Sequence, residues 1–140
     1  MFDRTLTIYN KHGNMWYPVT VNDADMHTEM VSNITVNGID NVGAVTMIIH
    51  SDSQKRIMAS SGVVQYVPPK QYAALSNPAG YFTFWPEHDF VVEGSVSIIA
   101  DDDDYDSGYY NELNKTMDGV HMIRAAEWFG MIPHFEVAAK

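Results

Sequence analysis

"RTLTIYNKHGNMWYPVTV", residues 4–21, decides the fold class. Met15, Tyr17, Val19 and Val21 alternate with Trp16, Pro18, Thr20 and Asn22, the period of two that a half-buried strand requires. "RTLTIYN" precedes it across Lys11-His12-Gly13-Asn14, a Gly/Asn turn, so the two runs read as a β-hairpin. Pro18 donates no backbone hydrogen bond, which suggests an edge or a bulge in its strand.

The same signature repeats outward from this hairpin. A third strand sets Met26, Met30, Ile34 and Val36 against Asp25, His27, Glu29 and Asn33; "NGIDN" breaks it and "AVTMIIH" begins another. "SDSQKR" reads as a polar loop, and "IMASSGVVQYV" as an extended stretch with a glycine bulge. Pro68-Pro69 before "KQYAAL" suits one or two helical turns with proline at the first position. Strands are expected at 81–85, 89–93 and 95–99, with Gly94 as a bulge or tight bend. The last stretch, "VHMIRAAEWFGMIPHFEVAAK", reads as a closing hairpin with Phe129-Gly130 at its turn and Phe135 and Val137 inward. A helix over "MIRAAEWF" is the competing reading, on propensity. No repeat, linker or composition shift divides the chain, so residues 1–140 are expected to form one β domain. The expected fold is mainly β: a small barrel or sandwich of eight to ten short strands, one short helix and a long acidic loop.

Composition narrows the chemistry. Without cysteine, disulfides, thiolate metal sites and cysteine nucleophiles are excluded. The net charge of −10 and the lack of any Lys/Arg cluster argue against a nucleic-acid footprint. "MFDRTLTIYN" has no basic stretch followed by an apolar core, so the chain reads as intracellular at synthesis; no apolar run approaches the roughly 18 residues of a bilayer span.

Half of that net charge comes from Asp101, Asp102, Asp103, Asp104 and Asp106. Asp102-x-Asp104-x-Asp106 has the alternate-carboxylate spacing of calcium loops. The EF-hand register fails: with Asp102 first, Ser107 stands where glycine is needed and Leu113 where glutamate is needed. A calcium site of another kind, a self-repelling solvated loop over 101–118 and an acidic surface turned toward a partner all remain open. Glu87-His88-Asp89 and His134-x-Glu136 are the tight His/carboxylate groupings; consecutive side chains of an unbent strand face opposite ways, so Glu87, His88 and Asp89 do not converge on one metal, and surface or hydrogen-bonded histidines are the expected reading. Neither a nucleophile elbow nor a phosphate-cradling glycine loop occurs, so no catalytic residue and no cofactor is assigned. A carboxylate-based hydrolase stays as the least favoured alternative, since eighteen acids allow many geometries. Trp16, Trp85, Trp128 and Phe129 stand near expected strand ends and are candidates for a subunit interface.

The order "YVPPKQY…GYFTFWPEHDFVVEG" followed by "IPHFEV", together with the early "TLTIYNK", resembles small minor structural proteins of tailed bacteriophages and prophages of Gram-positive bacteria. These are minor capsid or head–tail joining proteins. His88 stands where that family usually has a loop glycine, and "AAK" replaces its glycine-rich ending. The resemblance implies a non-enzymatic virion protein, made in the bacterial host cytoplasm and similar to the stoppers that close the head. It implies a homo-oligomeric ring between portal or adaptor and tail proteins, with no membrane partner. On the same resemblance the strand edges and exposed aromatics make subunit contacts, and Asp101–Asp106 face the channel or a neighbouring ring so that DNA passes without specific binding.

Overall fold

The computed structural model describes residues 4–29 and 44–140. The opening hairpin forms as expected: β1 (Arg4–His12) pairs antiparallel with β2 (Met15–Glu29), and His12 lies opposite Met15 across the Gly13-Asn14 turn. Gly13 takes a φ of +61°, the left-handed conformation such a two-residue turn demands. Near its far end the register slips: Leu6 faces Val21 but Arg4 faces Ala24. The extra residue on β2 bends it. One strand of 15 residues thus serves two partners, β1 along its first part and β3 (Ala44–His50) along Ala24–Glu29. The expected second and third strands are therefore a single bent strand. Met26 is buried and His27 exposed, as expected; Met30, Asn33, Ile34, Val36 and the "NGIDN" turn lie outside the described residues.

Six antiparallel strands close into a barrel, in the order β1, β7 (Phe90–Glu93), β9 (Val120–Phe129), β10 (His134–Ala139), β3, β2 and back to β1. The interior holds Leu6, Ile8, Val21, Met47, Ile49, Val91, Ile123 and Val137, each buried. The closing hairpin is present with Phe135 and Val137 inward, and "MIRAAEWF" is strand rather than helix. Pairing with β10 and the anchoring of Ile123 in the barrel override the local helix preference.

Further strands lie beside β2. β4 (Arg56–Ala59) and β5 (Gly62–Tyr66) form a hairpin, and β6 (Tyr81–Phe82) adds in parallel to β5. Gly62 closes that hairpin's turn at φ +123° rather than forming a bulge within one strand. Helix α1 (Pro69–Ala73) starts on its proline. Only Tyr81–Phe82 of the expected strand 81–85 pairs; Phe82 and Phe84 instead pack their rings on Phe135, at centroid distances of 5.7 and 5.2 Å.

The principal departure lies between β7 and β9. Residues 95–99 form no strand, because the chain crosses the outer face of β1 instead of running along a strand edge. Thr7 binds this crossing twice, its hydroxyl donating to the Gly94 carbonyl and accepting from the Val96 amide, and the Tyr9 hydroxyl meets the Ile98 carbonyl. β8 (Ala100–Asp101) then pairs with the start of β2, and helix α2 (Tyr109–Thr116) follows a 3-10 turn over Asp102–Asp104. The segment expected to be a loop outside the core thus builds a second core against the barrel wall, with Tyr9, Trp16, Phe90, Val92, Tyr109 and Leu113 packed together. Covered on both faces, β1 and β7 show unbroken burial over Leu6–Asn10 and Phe90–Val92.

Candidate assembly surface

The aspartates divide into structural and exposed groups. Asp102 turns inward: one oxygen accepts from the Trp16 indole at 2.9 Å and the Tyr109 amide at 2.8 Å, the other from the Lys11 ammonium at 3.2 Å. It thereby caps the first turn of α2. Partial burial alone would raise its pKa, but the Tyr109, Trp16 and Lys11 donors outweigh that and hold the carboxyl below its usual range. Gly108, at φ +88°, lets the chain enter α2 beside this carboxylate; a Cβ there would stand 3.2 Å from Oδ1 of Asp102. Asp101, half-buried, accepts from the Asp103 amide and the Asn14 side chain. Asp103, Asp104 and Asp106 are exposed and make this short stretch an anionic face. Among the described residues no group of three His, Cys, Asp or Glu side chains is arranged to hold a metal ion. With both oxygens of Asp102 engaged, the Asp102-x-Asp104-x-Asp106 spacing does not gather three free carboxylates.

The four aromatic candidates also separate. Trp16 is 4% exposed and belongs to the second core, so it presents no surface to a neighbour; the need to satisfy its indole with Asp102 draws it inward. Trp85 is half-buried and stacks on His88 at 4.2 Å. Behind that ring, His88 Nδ1 lies 2.7 Å from the buried Asp89, which also accepts from the Asn10 amide group at 2.9 Å. Burial raises the Asp89 pKa, against the pull of His88, Asn10 and the Lys11 amide. This network ties β1 to the 83–89 turn; Glu87, beside it at φ +63°, is engaged outward by Arg124.

Trp128 and Phe129 lead to a feature the sequence reading missed. Beyond Ile123, β9 pairs with β10 alone among the described residues, and the two run to a turn over Gly130–Pro133. At that tip Met131 is 99% and Ile132 72% exposed. The tip is nevertheless built. The Trp128 ring lies under Gly130 so closely that a Cβ would meet it at 2.9 Å, and its indole donates to Ser51. His134 stacks on Phe129 at 5.1 Å, with Nδ1 2.6 Å from the Ile132 carbonyl and Nε2 2.9 Å from the Glu136 carboxylate. Both partners are acceptors, so only the imidazolium, with a proton on each nitrogen, satisfies both. Glu136 first, then the Ile132 carbonyl, raise the His134 pKa accordingly. An apolar "MIP" in a turn, where polar residues are expected, was the available signal.

A groove of about 470 Å³ opens elsewhere, beside the middle of β2. Its walls include Tyr17, Pro18, Val63, Tyr81, Val96 and Ile99, and among the described residues none of the fifteen that line it is charged. It lies where β2 loses its outer neighbour: β8 covers Met15 and Trp16, and β4 resumes at Val21. Pro18 stands in the gap, as its missing amide predicted. Exposed Met58, Ile98 and Ile99 extend the apolar surface around it.

A family model matches residues 1–140, and its description is a family of unknown function, DUF6751. The chain belongs to this family. Neither a curated protein nor a solved structure matches it.

Proposed function

We propose that this chain is a non-enzymatic structural protein of the head–tail connector region of a tailed phage particle, assembling with its own copies into a ring between portal and tail. The observation that carries the assembly role is the exposed apolar tip, braced by Trp128 and His134. A free monomer gains nothing from holding Met131 and Ile132 in water. The phage setting rests on the resemblance of "YVPPKQY…GYFTFWPEHDFVVEG" and "IPHFEV" to minor structural proteins of tailed phages. A small barrel whose inserted segment carries the acidic residues agrees with that likeness.

In this role Asp103, Asp104 and Asp106 line the passage or meet a neighbouring ring, and their repeated charge repels the phosphate backbone so that DNA slides past. Asp101 and Asp102 support that face from within. Side-chain substitution is the cleaner probe of that face, because Asp101 belongs to β8 and Asp102 caps α2. The test is to purify particles of a phage that encodes this chain and identify their proteins by mass spectrometry. The chain is expected in several copies per particle, and a triple Asp103→Asn, Asp104→Asn, Asp106→Asn variant is expected to assemble but release DNA poorly. Absence from purified particles would sink the reading.

A further inference from the structure

The tip and the groove are separate on one chain, and the chain does not bring them together: Met131 remains 99% exposed. We infer that the β9–β10 tip of one copy seats in the β2 groove of the next, Met131 and Ile132 entering between Pro18, Val63, Tyr81 and Ile99. This rests on the proposed assembly role and names its contact. The occupant is suggested by the chain's own exposed apolar tip, and charge limits where two copies can touch. Two copies each at −10 repel over most of their surfaces, yet the described groove lining and the run Phe129–Pro133 carry no charge, so that these are the places where close approach costs least. Shape agrees. Pro18 denies the groove floor an amide, which disfavours an added strand and leaves side-chain insertion as the mode of docking. The tip is ordered beforehand by Trp128 and His134, so little conformational freedom is lost on binding. Because tip and groove are different surfaces, the contact is head-to-tail, and repetition gives a ring if the rotation closes.

The test exploits the absence of cysteine. Met131→Cys and Ser61→Cys, the latter at an exposed groove position, are made singly and together, and the pure protein is treated with a short bis-maleimide crosslinker. The double variant is expected to give a ladder of dimers, trimers and higher species. Each single variant should stay monomeric, and an equal mixture of the two singles should stop at dimers. Adding Ile132→Asp to the double variant, with folding checked by circular dichroism, should abolish the ladder and weaken sedimentation-derived association roughly 10- to 100-fold. Efficient dimers from Met131→Cys alone would mean tip-to-tip pairing and overturn the inference, as would a double variant that stays monomeric at its highest soluble concentration. Both measurements use isolated protein, so they can fail while the chain is still found in particles, and the converse result is equally readable.

Discussion

Asp102 shows how one carboxylate in an acidic run can be architectural while its neighbours are not. Its three donors come from β1, β2 and the start of α2, so removing it uncouples three parts of the chain. Hydrogen bonds to a charged group contribute about 1.5–3 kcal/mol, and Asp102→Ala also leaves the buried Trp16 indole unpaired. Urea denaturation at neutral pH should show Asp102→Ala less stable by about 2 kcal/mol, whereas exposed Asp104→Ala should change stability by no more than about 0.5 kcal/mol. Equal effects would mean that the inward contacts of Asp102 contribute little. Position within the run separates them, not residue type.

Two elements behave against their local composition. Helix α2 is short and lies in a polar stretch, so it depends on Tyr109 and Leu113 reaching the second core. Leu113→Ala removes a buried side chain and should cost roughly 2–3 kcal/mol. Hydrogen exchange should then accelerate over 102–116 while the barrel strands stay protected; uniform acceleration would show that the second core is not a separable unit. The β9–β10 tip depends on a proton instead. A His134 pKa raised in the folded state means that its stabilisation is fully present below the ordinary histidine value of about 6.5 and is lost as pH rises through the folded value. Backbone order parameters at residues 130–133 should therefore fall as pH rises past the ordinary histidine value of about 6.5, and His134→Gln should remove the dependence. Rigidity unchanged over that range would assign the order of the tip to Trp128 alone.

For the molecule as a whole, net charge opposes self-association and uncharged apolar surface favours it. At −10, copies repel across a screening length of about 30 Å at 0.01 M salt but only about 8 Å at 0.15 M. Sedimentation should accordingly show more assembly as salt rises over that range, the opposite of an interface held by ion pairs. Dissociation with added salt would point to contacts between the anionic face and the few lysines and arginines.

Period-two patterning in "MWYPVTV" and "FEV", the Gly13-Asn14 turn and the proline-led helix are local signals, written in adjacent residues, and by themselves they determined a β chain with its opening and closing hairpins. Its acidic character and its lack of cysteine chemistry were equally set at that level. The long segment between β7 and β9 was not readable in the same way, although Tyr105, Tyr109 and Leu113 recur at the spacing of a helix face. That pattern gains meaning only when the outer faces of β1 and β7 are there to receive it, and five neighbouring carboxylates mask it. The bend that merges two expected strands into β2, the inward turn of Trp16 and Asp102, and the separation of tip from groove likewise depend on residues distant in sequence meeting in space. Tertiary structure alone decided them, because burial and hydrogen-bond satisfaction belong to the closed barrel and not to any segment of it.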